Sequence, residues 1–383
     1  MQYGRSDMNF LIKNGTVYDP ALHKAYTSDI AIVDGKIATP SAGAEYRQII
    51  DAEDCIVTTG LIDYHVHCMR GATEAGVQAD MVSACCGVTT IVDGGSAGTG
   101  LYEHAYRSIV SNAQVRYLNL LLAASGGQSN DRYPENLRPE LMDEEKIVHF
   151  FQKYPDNLVG IKTRISHGIL EADQVEASVR RTVEIAEKAG TRVVVHVTNC
   201  PIGLDELAEM LRPGDVICHI YQGKDHSCIG EDGKVLPGLW EARKRGILFD
   251  ACNGKNNFDL EIAQQAVRQG FVPDVISTDI NMGSCFLQPL HSLPRILSKY
   301  VDFGMDWMDV LDCATKKPAE LIGRPELGSM TVGTPADIVI LKHKKKEMLY
   351  TDVAGHEFTG HQVFVPQMTF MDGECVYCQA DFA

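Results

Sequence analysis

The stretch Gly60-Leu61-Ile62-Asp63-Tyr64-His65-Val66-His67 closes an apolar, β-branched run that begins at residue 56 and ends on two histidines spaced two apart. Such a run, bounded by a glycine, reads as a buried strand. Seven similar runs follow, at 88–92, 117–123, 158–165, 193–197, 216–220, 247–251 and 275–279. Helical patterns lie between them, for example at 175–188, 204–211, 239–245 and 260–268. Several of these stop at Ala-Gly, Arg-Gly or Gln-Gly, the chemistry a helix C-terminus favours. Strand follows strand every ~20–40 residues, as a βα repeat requires. Eight such units in residues 56–328 have the length of a (β/α)8 TIM barrel. A doubly wound open sheet is the alternative architecture.

The two ends of the chain differ from the middle. Runs at 10–18, 29–33, 36–38 and 49–52 read as short strands, and Asp34-Gly35 between two of them is a hairpin signal. The runs 336–341 and 367–371, then Asp372-Gly373 and a last strand through Val376, repeat that style. The reading is a small β-sandwich domain built from both termini, residues 1–55 plus 329–383, with the barrel inserted between.

In such a barrel, chemistry sits at the C-terminal ends of the strands. Standing there are His65 and His67 on the first run, Lys162 on the fourth, His196 on the fifth, His219 on the sixth and Asp279 on the eighth. Each alone has an ordinary structural explanation: His196 as a hydrogen-bonded core residue, Lys162 as a salt-bridged one, Asp279 as a helix N-cap. Their conjunction on one rim is what points to a site. Residues two apart on a strand share a face, so His65 and His67 both enter the barrel mouth. Neutral imidazoles with a carboxylate suit Zn²⁺ and similar ions. A protonated lysine has no lone pair to offer, but a desolvated lysine loses its proton more readily, and its amine can take up carbon dioxide as an anionic carbamate. That group would bridge two ions. Arg164, two after Lys162 and so on the same face, is the candidate substrate-facing cation, with a structural salt bridge as the alternative.

The His65-x-His67 motif after Gly60-Leu61-Ile62-Asp63, the later Lys, His, His and Asp, and the closing Gly333-Thr334-Pro335-Ala336-Asp337 resemble the amidohydrolase superfamily over nearly the whole chain. The run Gly160-Ile161-Lys162-Thr163-Arg164-Ile165-Ser166 and the block around His196 are closer to its dihydroorotase-like and deacetylase branch. The resemblance implies two zinc ions, a carboxylated bridging Lys162, and hydrolysis of N-acyl or O-acyl groups on small carboxylates. Opening of a cyclic amide, as in dihydroorotases, hydantoinases or imidases, is the alternative. Dihydroorotases carry H-x-H-x-R; here Met69 stands two after His67 and Arg70 one place late, which points Arg70 elsewhere. The implied mechanism has metals lower the pKa of a shared water from 15.7 toward 7, Asp279 carry its proton to the leaving group, and Arg164 steady the oxyanion.

Other residues stay open. Asn256 and Asn257 either contact substrate or cap the helix starting near Asp259. Tyr221, His226 and Cys228 sit on a loop that would line the pocket, Cys68 reads as packing, and His104 and His291 as surface or helix residues. A Schiff-base aldolase would use the lysine but leave the histidines unexplained; a scaffold that has lost its metal would not keep all six side chains.

The 383 residues carry a formal net charge of −16. An acidic surface repels phosphate backbones and anionic lipid, so the expected partner is a small-molecule substrate, with neither nucleic acid nor membrane. No window offers the ~18 apolar residues of a membrane span. The polar N-terminus, with Arg5 and Asp7, has no secretion-signal core, and the 12 scattered cysteines read as reduced thiols of a cytoplasmic protein. A homo-oligomer is expected.

Overall fold

The computed structural model describes residues 9–130, 132–286 and 291–382, so Arg5 and Asp7 lie outside the described residues. Seven strands form one parallel sheet in strict chain order: Leu61–Val66, Val88–Asp93, Arg116–Leu122, Leu158–Arg164, Val193–His196, Val216–Cys218 and Leu248–Asp250. Each pairs in parallel with its neighbours in sequence. A doubly wound sheet reverses its strand order at a switch point, and this one does not. The strands are buried nearly throughout, as a sheet flanked by helices demands. Helices such as Ala172–Ala189 and Pro237–Arg245 fill the connections and end on Gly190 and Gly246, as the sequence predicts.

Two of the expected runs differ from their sequence reading. The single run 56–65 is two strands. Cys55–Thr59 pairs with Ile338–Thr351 and Thr16–Asp19 in a terminal sheet, and the chain crosses at Gly60 to begin the parallel sheet at Leu61. The eighth run, 275–279, is not a regular strand. Val275 forms a parallel bridge to Asp250 and Ile280 one to Val66. The amide of Asp279 donates to the His65 carbonyl at 2.8 Å, and that of His67 to the Ile280 carbonyl at 2.8 Å. Between these bridges the amides of Ala251, Asn253 and Gly254 donate to the carbonyls of Val275, Ser277 and Thr278, while on the other side the Thr278 amide and hydroxyl donate to Asp63, and Ser277 Oγ donates to Asp250. Asp279 adopts a φ of 52°, which breaks the extended conformation between the two bridges.

The termini build two sheets. One has four strands in the order Lys36–Ala38, Ile30–Val33, Phe10–Lys13, Gln48–Asp51. The other has six, in the order Glu374–Cys378, Glu357–Met371, Ile338–Thr351, Cys55–Thr59, Thr16–Asp19, Lys24–Thr27. The predicted hairpin at Asp34-Gly35 is present, with φ of 52° and 77° at the two positions, the geometry for which Asp-Gly is suited. Phe10, Ile32, Ile37, Val57, Ile340 and Phe370 share one apolar cluster, so N- and C-terminal strands stabilise each other. Among the described residues no helix is long and apolar enough to cross a membrane.

The hairpin of Ile338–Thr351 and Glu357–Met371 runs far beyond the short strands expected there, and its tip docks on the helix Leu260–Arg268. Asp352 Oδ2 accepts from the Leu260 amide at 2.8 Å and lies 2.9 Å from His356 Nδ1. The hydrogen bond to Asp352 raises the His356 pKa, outweighing the opposing effect of burial. A raised histidine stabilises below its ordinary pKa and loses that contribution as pH climbs through the folded value. Amide exchange at the hairpin tip is therefore expected to be protected at about pH 6 and to lose protection, beyond the intrinsic rate change, by about pH 8.5. His356→Gln should remove that difference; if the variant keeps it, the link is not the cause.

Candidate metal centre

His65 and His67, on the first strand and its extension, face a cavity of about 660 Å³ at the C-terminal ends of the strands. Lys162, His196, His219 and Asp279 line the same cavity, so all six expected site residues meet there. Four of the side chains form an arc of imidazoles, with ring centroids 5.5 Å apart for His67 and His65, 5.2 Å for His65 and His219, and 4.5 Å for His219 and His196. Asp279 Oδ1 lies 3.2 Å from His67 Nε2 and 3.9 Å from His65 Nε2. Lys162 Nζ lies 3.3 Å from His65 Nε2 and donates to Cys218 Sγ at 3.0 Å.

The hydrogen-bond partners orient these rings. His219 Nδ1 lies 2.7 Å from the Cys252 carbonyl, which only accepts, so Nδ1 carries the proton and Nε2 presents its lone pair. His67 Nδ1 lies 2.7 Å from Ser96 Oγ, which donates in turn to Asp93. Carboxylate- or carbonyl-anchored histidines of this kind are what metal sites use to fix ligand orientation. His65 Nδ1 is buried without a hydrogen-bond partner, 3.9 Å from Asp250 Oδ2, whose carboxyl burial pushes up to about 7.

Burial favours the neutral form of three of the imidazoles. It lowers His65 and His196, with Lys162 and His219 respectively adding repulsion, and takes His219 to about 4. Burial alone would raise Asp279, but the hydrogen bond from His67 and the electropositive side chains around it outweigh that, leaving Asp279 at about 2. Neutral nitrogen donors around an ionised carboxylate are a zinc-type donor set. Ligand atoms of His65, His67 and Asp279 lie within 4.8 Å of one another, as do those of His65, His219 and Cys252. The second trio brings in Cys252 where the sequence pointed to His196; His196 stands beside it, against His219. The donor chemistry therefore fits a divalent metal.

Arg164 lines the cavity and is ion-paired to Glu135, a buried acid from the loop after the third strand. Arg70 is exposed and bridged to Thr73, away from the cavity lining. Asn257 is not a helix cap: Asp259 caps Leu260–Arg268, and Asn257 Nδ2 donates to Asp279 Oδ2 at 2.6 Å. Asn256 lines the cavity beside it. The expected lining by Tyr221, His226 and Cys228 is not found, because Tyr221 and Cys228 pack in the core and His226 is exposed; Lys224 from that loop lines the cavity instead. His291 is partly exposed and lies outside a helix, and its Nε2 donates to the Thr278 carbonyl at 2.7 Å, one residue before Asp279. Cys68 is buried packing and His104 lies in the helix Tyr102–Ser108, both as read.

Sequence reading missed the turn Asp93-Gly94-Gly95-Ser96, which follows the second strand on the same rim. A Cβ on Gly95 would meet Lys162 Cβ at 2.6 Å, and one on Gly94 would meet His65 at 2.3 Å; Gly95 also has a φ of +93°. Gly95→Ala is expected to cost about 1–3 kcal/mol of stability and to displace Lys162. Denaturant unfolding and metal content of the variant check this, and unchanged values for both would contradict it.

Fold and site together define a parallel β/α hydrolase with a histidine-rich centre at its strand ends. The chain belongs to the amidohydrolase family, whose sequence pattern matches residues 56–376. A deacetylase of Agrobacterium fabrum (strain C58) is 29% identical over 347 residues, spanning 90% of this chain and 85% of the relative. Among solved structures, an adenine deaminase superposes with a TM-score of 0.89 at 26% identity, over 97% of this chain and 100% of that one. A dihydroorotase superposes with a TM-score of 0.87 at 28% identity, over 97% and 98%.

Proposed function

We propose that this enzyme is a metal-dependent hydrolase that cleaves an N-acyl or O-acyl bond of a small carboxylate-bearing molecule, in the manner of a deacetylase. The observation that carries the proposal is the meeting of His65, His67, Lys162, His196, His219 and Asp279 around one cavity. These residues would hold two divalent ions, zinc by donor chemistry. Such ions supply Lewis acidity, polarising a carbonyl and making water a stronger acid.

Lys162 is 1% exposed, and its Nζ neighbours are a histidine nitrogen and a cysteine sulfur rather than an anion. Its unprotonated amine would attack carbon dioxide, forming an N–C bond and releasing one proton, to give the bridging carbamate. Asp279 is ionised, and each of its oxygens keeps a lone pair beyond its contacts with His67 and Asn257. It would take a proton from water and return it to the leaving nitrogen or oxygen. Glu135 fixes the Arg164 guanidinium at the cavity wall, where it would face the scissile carbonyl or a substrate carboxylate.

The same reading takes 275–279 as the eighth strand that closes a (β/α)8 barrel, supported by the bridge of Val275 to the seventh strand and of the adjoining Ile280 to the first. The terminal sheets would form a β-sandwich domain over their shared core, with the boundary to the barrel at Gly60. All 12 cysteines are unpaired, which supports a cytoplasmic setting.

The test is a panel of N-acetyl and O-acetyl acids set against hydantoins, dihydropyrimidines and lactams, with metal-loaded protein. Turnover of the acyl compounds is expected. Turnover confined to the cyclic amides would favour ring opening, the reading that the likeness to a dihydroorotase supports. The position of Arg70, off the cavity, weighs against dihydroorotate itself.

A further inference from the structure

Behind residues 253–257 lies a second, smaller cavity of about 100 Å³, lined in part by Asn253, Phe258, His291, Arg295, Lys299 and Asp352. Lys299, on the helix Leu293–Asp302, is only 6% exposed. Its Nζ donates to Asn253 Oδ1 and sits 3.5 Å from the centroid of the Phe258 ring. Arg295, four residues earlier on the same helix face, donates to the Leu349 carbonyl and lies over the Tyr350 ring. Among the described residues neither cation has a carboxylate partner. Asp352, which lines the same cavity, is already committed: it accepts from the Leu260 and His356 amides and lies 2.9 Å from His356 Nδ1. His291 gives its Nε2 proton to the Thr278 carbonyl.

Enclosing a lysine without a countercharge is costly, and a like charge four residues away on a helix adds to the cost. The environment registers this: burial, then the charge of Arg295, hold the Lys299 ammonium well below the usual lysine range, with Asp352 opposing. One aromatic face and one amide oxygen leave part of the ammonium's donor capacity unused. Arg295 likewise has guanidinium protons beyond its single carbonyl bond.

We propose that this cavity binds a small monoanion, of halide or short-carboxylate size, held between Lys299 and Arg295. The cavity is small, about 100 Å³, in keeping with an ion of that size. The site is separate from the hydrolytic centre, since none of the six expected metal-site residues lines it, although Lys255 borders both cavities. Its wall is the segment that carries Asn257 to Asp279, so the anion neutralises the charge directly behind that support.

Crystals of the metal-loaded protein soaked in sodium bromide test this by anomalous scattering. A bromide peak between Lys299 and Arg295 is expected, lost in Lys299→Met while the metal peaks remain. In solution, chloride-35 line broadening should show a chloride site that Lys299→Met removes and Arg295→Gln weakens by about tenfold or more. Arg295→Gln keeps the proposal testable if Lys299→Met does not fold. Competition by acetate separates a carboxylate preference from a halide one, and either preference supports a monoanion site. Absence of bromide from the cavity, or equal occupancy in Lys299→Met, overturns it.

Discussion

Asp279→Asn should lower turnover by about 10²- to 10⁴-fold while leaving most of the bound metal in place. Asparagine keeps the shape of the side chain and an oxygen to face His67 Nε2, which lies 3.2 Å from Oδ1 in the native chain. It loses the negative charge and the capacity to take up a proton. In the native chain its surroundings favour that charge: Asp279 is held at about 2, although burial opposes ionisation. Asn257 donates to Oδ2 and so braces the carboxylate. Metal analysis beside steady-state kinetics separates the two roles. Retained metal with lost turnover supports the proton carrier; full activity in the variant refutes it.

Lys162→Met should remove metal as well as activity. Removing an outer partner of a metal ligand commonly costs 10- to 100-fold in affinity or activity, and removing a bridging ligand should exceed about a hundredfold. Methionine preserves most of the buried volume, so the fold should persist, as circular dichroism would show. Lys162 is packed against Gly95 and buried, so the change is confined to the centre. With carbon-13 bicarbonate, a carbamate carbon resonance is expected in the native protein and not in the variant. A variant that binds metal and turns over normally would remove the lysine from the centre.

Much of this site was legible because its signals are local. A histidine pair with period-two spacing and single polar residues at the ends of apolar runs place six side chains on one rim once the βα repeat is read as a barrel. Burial and strand order then brought together residues more than 200 positions apart, such as His65 and Asp279. What could not be read was set by long-range packing. Gly94 and Gly95 look like an ordinary loop until His65 and Lys162 arrive against them. Asn257 looks like a cap candidate, because nothing local shows that Asp259 takes the cap and frees Asn257 for Asp279. The chain's change of sheet at Gly60 is hidden because Cys55–Thr59 and Leu61–Val66 are both wholly buried, with no polar alternation to mark two partners. The long hairpin escaped notice for the opposite reason: its middle, around Lys344 and Lys345, is exposed and reads as loop.

The most direct measurement is the transition-metal content per chain of the purified protein, by mass spectrometry of the elements after exhaustive buffer exchange. About two ions per chain are expected, with zinc prominent. A folded, homogeneous preparation that retains no such metal, and takes none up when it is supplied, would contradict the central claim that these six side chains form a metal centre.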